Sequence, residues 1–142
     1  MKDKKSVGRI ISCIHRFTHI HLNIELERYK IGIGQLHFLM KLYNKDGINQ
    51  ETLANDLKTD KATSARAIKK LEKEGYVLRK KDSSDNRAYK IYLTKKGKEL
   101  KPKIKKITRN WTKILTDGFD EKEKEMLFSF LEKIARNAEI NK

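Results

Sequence analysis

Residues 71–97 read LEKEGYVLRKKDSSDNRAYKIYLTKKG, and the apolar rhythm changes inside this stretch. Up to Gly75 the spacing is helical. From Tyr76 to Lys80 it becomes that of a strand, and Asp82-Ser83-Ser84-Asp85-Asn86 supplies turn chemistry. From Ala88 to Leu93 the side chains alternate, with Tyr89, Ile91 and Leu93 on one face and Lys90 and Tyr92 on the other. The two strands predict a hairpin with a basic, polar tip. Thr94 then predicts the cap of a new helix.

On the N-terminal side, residues 61–74 predict a helix capped by Thr59 or Asp60 and closed by Gly75. Ser64, Ala67, Ile68 and Leu71 share one side of it. Ala62, Arg66, Lys69 and Lys73 share the other, with Thr63 and Lys70 at the flanks. A shorter helix, 50–57, precedes it behind the Asn49 cap, and Asp46-Gly47 marks a turn. Further out, 7–29 predicts a long amphipathic helix and 35–44 a short buried one. Residues 95 to about 115 predict a helix kinked at Pro102. A last helix starts at Phe119-Asp120-Glu121, with Met126, Leu127, Phe130, Leu131 and Ile134 on its apolar face.

Helix, helix and hairpin in this order predict a winged helix-turn-helix: mostly α, with a small β wing. In that motif the second helix of the pair enters a major groove, N-terminal end first. Charge agrees. The 142 residues carry a net +15, and residues 58–106 hold 18 Lys/Arg against 6 Asp/Glu, while 107–142 hold 7 of each. An excess gathered in one third of the chain suits a polyanion-binding surface.

Three blocks resemble the MarR family of transcriptional regulators. Residues 85–97, DNRAYKIYLTKKG, are similar to its D-x-R-x-x-x-I-x-L-T-x-x-G wing signature. Leu71 to Val77 is similar to its L-E-x-x-G-[LYF]-[VI] segment. Asn49 to Ala54 is similar to the s-Q-x-e-L-A run that opens its helix-turn-helix. The resemblance covers roughly residues 7–138 and implies one domain, 1–142. Within it, residues 7–30 and 98–138 form a helical dimerisation base, and 35–97 form the DNA-binding lobe. It implies a cytoplasmic homodimer on a pseudo-palindromic double-stranded DNA operator, acting as a repressor relieved by a small phenolic or aromatic acid.

Under this reading Lys61, Ala62, Thr63, Ala65, Arg66, Lys69 and Lys70 face DNA from the recognition helix. Lys80, Lys81, Ser83, Asp85, Arg87 and Lys90 do so from the wing. Arg87, at the hairpin tip, reaches a minor groove whose potential favours guanidinium, and Asp85 orients it. Ile10, Ile14, Phe17, Phe119, Leu127, Phe130, Leu131 and Ile134 form the dimer interface. Arg16 and His19 are candidates for an effector's carboxylate, with Phe38, Tyr43 and Trp111 for its ring.

Other chemistries fit less well. There is no G-x-S-x-G, H-E-x-x-H or phosphate-binding glycine loop, so no enzyme and no cofactor are expected. His15 and His19 have chelating spacing, but a third ligand is not evident and no metal site is expected. Cys13 does not fall at the position of the family's sensing cysteine, which would lie nearer Gly8. One cysteine excludes an internal disulfide. No apolar run is long enough to span a membrane, and the N-terminal apolar stretch is broken by Ser12, His15 and Arg16, unlike a signal peptide. The competing readings are a winged-helix module for protein contact, which calls for an apolar patch on the 61–74 helix, and a redox- or metal-responsive regulator.

Overall fold

The computed structural model describes residues 5–141. The elements run α1 (Val7–Leu26), a 3-10 turn (Glu27–Tyr29), α2 (Ile33–Asn44), β1 (Ile48–Asn49), α3 (Gln50–Asp56), α4 (Lys61–Lys73), β2 (Val77–Asp82), β3 (Asp85–Leu93), α5 (Lys95–Leu115) and α6 (Glu121–Ile140). The chain divides into two compact units, residues 1–108 and 109–142.

In the first unit, the caps explain where each helix starts. Asn49 Oδ1 accepts from the Glu51 and Thr52 amides, and Asp60 Oδ1 from the Thr63 amide. Between the two helices Lys58 adopts a left-handed φ of 53°. A non-glycine residue there is strained by roughly 1–2 kcal/mol. Leu53, Ile68 and Leu71 from this pair are fully buried, as are Leu26, Leu39, Leu42, Ile91 and Ile104, all at 0% exposure. Each such side chain contributes about 1.5–3 kcal/mol of transfer free energy.

The sheet has the order β1-β3-β2, antiparallel throughout. The two-residue β1 pairs Ile48 with Ile91 and is absent from the sequence reading, being too short to show alternation. The hairpin also differs from expectation. Asp82 pairs with Asp85, so the tip is Ser83-Ser84 and not the whole run 82–86. Lys81 pairs with Tyr89, which leaves residues 86–88 bulged with no partner opposite them. Arg87 therefore stands on this bulge, behind the tip where the sequence placed it.

The two ends of the hairpin and the start of α5 meet in one joint. The Thr94 hydroxyl donates to Gly75 O at 2.6 Å, and the Thr94 amide to Tyr76 O at 3.0 Å. Thr94 Oγ1 accepts from the Gly97 amide, as a helix cap should. A Cβ on Gly97 would collide with the Tyr76 carbonyl oxygen. The Tyr43 hydroxyl donates to Gly97 O at 2.7 Å, tying α2 to the same point. From there α5 continues through Pro102 as one helix, burying Leu100, Ile104 and Ile107.

α1 has two faces. His15, His19, Leu22 and Leu26 follow one stripe, and Leu22 and Leu26 are buried. Ile10, Ile14, Phe17, Ile20 and Ile24 follow the opposite stripe and are exposed, Phe17 by 60%. In the second unit, the Asp120–Glu123 capping box starts α6, and no residue of α6 is buried. Phe119, Phe130 and Leu131 are exposed, and Leu127 and Ile134 are half-buried. No helix among the described residues is long and apolar enough to cross a membrane.

Candidate nucleic-acid interface

Burial on α4 follows the expected stripe. Ser64, Ala67, Ile68 and Leu71 are buried, while Lys61, Ala62, Thr63, Ala65, Arg66, Lys69 and Lys70 are all exposed. No large apolar side chain stands on the outward face. At its N-terminal turn three side chains are linked. The Thr63 hydroxyl donates to Asp60 Oδ2 at 2.8 Å, and Arg66 Nη2 donates to Thr63 Oγ1 at 3.2 Å. The Thr63 backbone amide, then its hydroxyl, hold the Asp60 carboxyl below the usual carboxylate range, and the Arg66 charge assists.

In the wing, Lys80, Lys81, Ser83, Asp85 and Arg87 are exposed and Lys90 is half-buried. Asp85 Oδ1 accepts from the Arg87 amide at 3.0 Å and lies 3.8 Å from Arg87 Nε, an ion pair too long for the charge-assisted hydrogen bond that the sequence suggested. The Arg87 side chain is 95% exposed. Cations over aromatic rings brace the strands: Arg79 stands 4.8 Å from the Tyr89 ring centre, and Lys80 5.5 Å from that of Tyr92.

Asp82, the first residue of the expected turn run, holds the turn together. Its Oδ1 accepts from the Ser84 amide at 3.0 Å and the Ser84 hydroxyl at 2.7 Å. The Ser84 amide and hydroxyl keep its carboxyl below the ordinary range, against its desolvation. The D-S-S run signals this kind of side-chain-to-backbone turn, but which carboxylate closes it depends on the strand register.

Of the effector candidates, Arg16, His19, Phe38 and Tyr43 belong to the first unit. Phe38 is buried in the core. The Tyr43 hydroxyl is committed to Gly97 O, and burial pushes its pKa up. Arg16 Nη1 donates to Ser12 Oγ at 3.3 Å, and the His19 ring centre lies 4.2 Å from that of His15. Trp111 belongs to the second unit and is half-buried. A cavity of about 460 Å³ is lined instead by Asn23, Glu27, Lys30, Ile31, Gly32, Gln35 and Lys70. His37 on α2 is held below the ordinary imidazole range by burial, then by His19 and His15. Among the described residues, no three His, Cys, Asp or Glu side chains are arranged to hold a metal ion. Cys13 is a half-buried free thiol.

Residues 31–89 match the sequence profile of the MarR family. The HTH-type transcriptional regulator YybA of Bacillus subtilis (strain 168) is 34% identical over 131 residues, 92% of this chain and 87% of YybA. A crystal structure of a MarR transcriptional regulator from Methanosarcina mazei Go1 superposes with a TM-score of 0.89 at 46% identity, covering 93% of this chain and 95% of that one. A MarR family regulator from Listeria monocytogenes, solved in complex with a 26mer DNA, gives 0.82 at 34% identity over 94% of this chain and 89% of that one.

Proposed function

The chain belongs to the MarR family of helix-turn-helix transcriptional regulators, which are non-enzymatic DNA-binding proteins, and from that premise we propose that it is a cytoplasmic homodimer that represses transcription from a pseudo-palindromic operator. The observation that carries this reading is the outward face of α4, where seven exposed, small or basic residues form a convex surface backed by a packed core. A major groove accepts such a helix, and arginine pairs bidentately with guanine there. Lys80, Lys81, Ser83 and Lys90 meet phosphates, and Arg87 enters the flanking minor groove. Residues 35–97 act as the lobe, and 7–30 with 98–138 as the dimerisation base.

The exposed apolar stripes support the dimer. A chain that leaves Ile10, Ile14, Phe17, Phe130 and Leu131 in water exposes more apolar surface than a monomer tolerates, and a second copy covers it. A protein-contact role is less favoured, since the α4 surface lacks the apolar patch it requires. The effector is a small aromatic acid, with Arg16 and His19 as the groups available to its carboxylate. It acts by changing the spacing of two α4 helices, because only one spacing fits successive major grooves.

The test compares Arg66→Ala with Arg87→Ala. The first should cost about 1–3 kcal/mol and relax preference at particular base positions. The second should weaken binding while central preferences stay intact, because minor-groove insertion reads groove width. Selection from random duplexes measures both. Unchanged base preference in Arg66→Ala contradicts the docking geometry.

A further inference from the structure

The capping carboxylate of α4 has two oxygens, and a cap needs only one. Asp60 Oδ1 accepts from the Thr63 amide at 2.7 Å and completes the cap. Asp60 Oδ2 does something else: it takes the only hydrogen of the Thr63 hydroxyl, at 2.8 Å. That fixes the hydroxyl's direction and turns its lone pairs outward. One of them receives Arg66 Nη2 at 3.2 Å. We propose that Asp60 is a positioning residue for base reading, holding the Arg66 guanidinium in place through the Thr63 hydroxyl. This rests on the reading of Arg66 as a major-groove contact.

The physical case has three parts. Arg66 is exposed, so without a tether its long side chain samples many rotamers, and binding has to order them. The tether does that ordering beforehand. A carboxylate at the head of the chain also polarises the hydroxyl and makes its oxygen a better acceptor for a cation. Finally, a guanidinium has five N–H donors and Thr63 takes one. The remaining donors at the far edge suffice for the paired O6 and N7 acceptors of guanine. Thr63, its one hydrogen already donated, offers DNA its methyl group. The geometry therefore points to a guanine at the Arg66 position of each half-site.

Substitutions separate this role from capping. Asp60→Asn keeps an oxygen for the Thr63 amide but replaces the second acceptor with an amino group. Thr63→Val keeps the shape and removes the hydroxyl, and Thr63→Ser restores it. Full-length protein is titrated against its selected duplex, against versions with each base pair changed, and against an unrelated duplex. Thermal melts run alongside. A bidentate arginine–guanine pair discriminates by roughly 5- to 150-fold. Asp60→Asn and Thr63→Val should each lose about tenfold of that at the guanine position alone. Both variants should stay folded in the melts, preference at other positions should hold, binding to unrelated DNA should rise slightly in Asp60→Asn as a negative charge leaves the surface, and Thr63→Ser should retain the discrimination. If Arg66→Ala loses discrimination while Asp60→Asn and Thr63→Val keep it, the relay is wrong and base reading by Arg66 stands. If Arg66→Ala also keeps it, the reading beneath the relay fails as well.

Discussion

Gly97→Ala sets two effects against each other. Gly97 lies in the first turn of α5, where alanine is favoured over glycine by about 1 kcal/mol on helix propensity. The added Cβ, however, falls against the Tyr76 carbonyl oxygen. Both partners are backbone, so no rotamer change relieves the contact. Overpacking of this kind costs about 1–3 kcal/mol. Moving the start of α5 away also strains two hydrogen bonds at the joint, Thr94 amide to Tyr76 O and Tyr43 hydroxyl to Gly97 O, each contributing about 1 kcal/mol. The clash wins, with a net destabilisation of about 2–4 kcal/mol. Urea titration at fixed protomer concentration reads this as a fall in midpoint of roughly 1–2 M. Gly8→Ala is the control: nothing lies within 4 Å of its Cβ, so it should stabilise by about 0.5–1 kcal/mol. DNA affinity should fall in Gly97→Ala, because α4, the wing and α5 all meet at this joint. A Gly97→Ala protein as stable as the wild type refutes the reasoning.

Phe17→Asp, on the exposed stripe of α1, should give a folded monomer by sedimentation where the wild type should give a dimer; a wild-type monomer at micromolar concentration contradicts the proposed interface. Lys80→Gln and Lys90→Gln should weaken binding to all duplexes alike and flatten the slope of log affinity against log salt by about one each per protomer; an unchanged slope removes them from the phosphate contacts. His37 is an exposed residue whose imidazole is held below its ordinary range by partial desolvation of the ring, then by His19 and His15, so the fold mildly favours its neutral form. The stability this gives is present above the unfolded value near pH 6.5 and lost as pH falls below it. Urea midpoints should therefore drop between about pH 7 and 5, and His37→Gln should flatten that drop; an equal drop in the variant assigns it to other groups. Asp60 and Asp82 are depressed carboxylates, and their contribution is lost only at lower pH, as the medium falls through the carboxylate range.

Local chemistry made most of the lobe legible. Asn49 and Asp60 cap the helices they were expected to cap, because capping depends on one side chain and the next three amides. The inward stripe of α4 was legible residue by residue, since a basic helix with few apolar positions can bury only one face. Features that join distant segments were not. Strand β1 exists only through its pairing with β3. The bulge that carries Arg87 comes from a register set by Asp82 opposite Asp85. Lys58 and Lys30 take left-handed conformations usually left to glycine or asparagine, so neither carries a local signal. The charge coupling of His37 on α2 with His15 and His19 on α1 was not legible either, because helix spacing shows only neighbours on one helix. On α6 the apolar stripe was legible, and no residue of it is buried.

The most direct measurement is selection from random duplexes by the full-length chain, with the stoichiometry of the selected complex determined by mass. Two inverted half-sites, about 10 base pairs between centres or a multiple of that, are expected. Two protomers should bind them, each half-site should carry a guanine, and preference for that guanine should be lost in Arg66→Ala. A pool that stays random, or one asymmetric site bound by a single protomer, contradicts sequence-specific operator binding by a symmetric dimer.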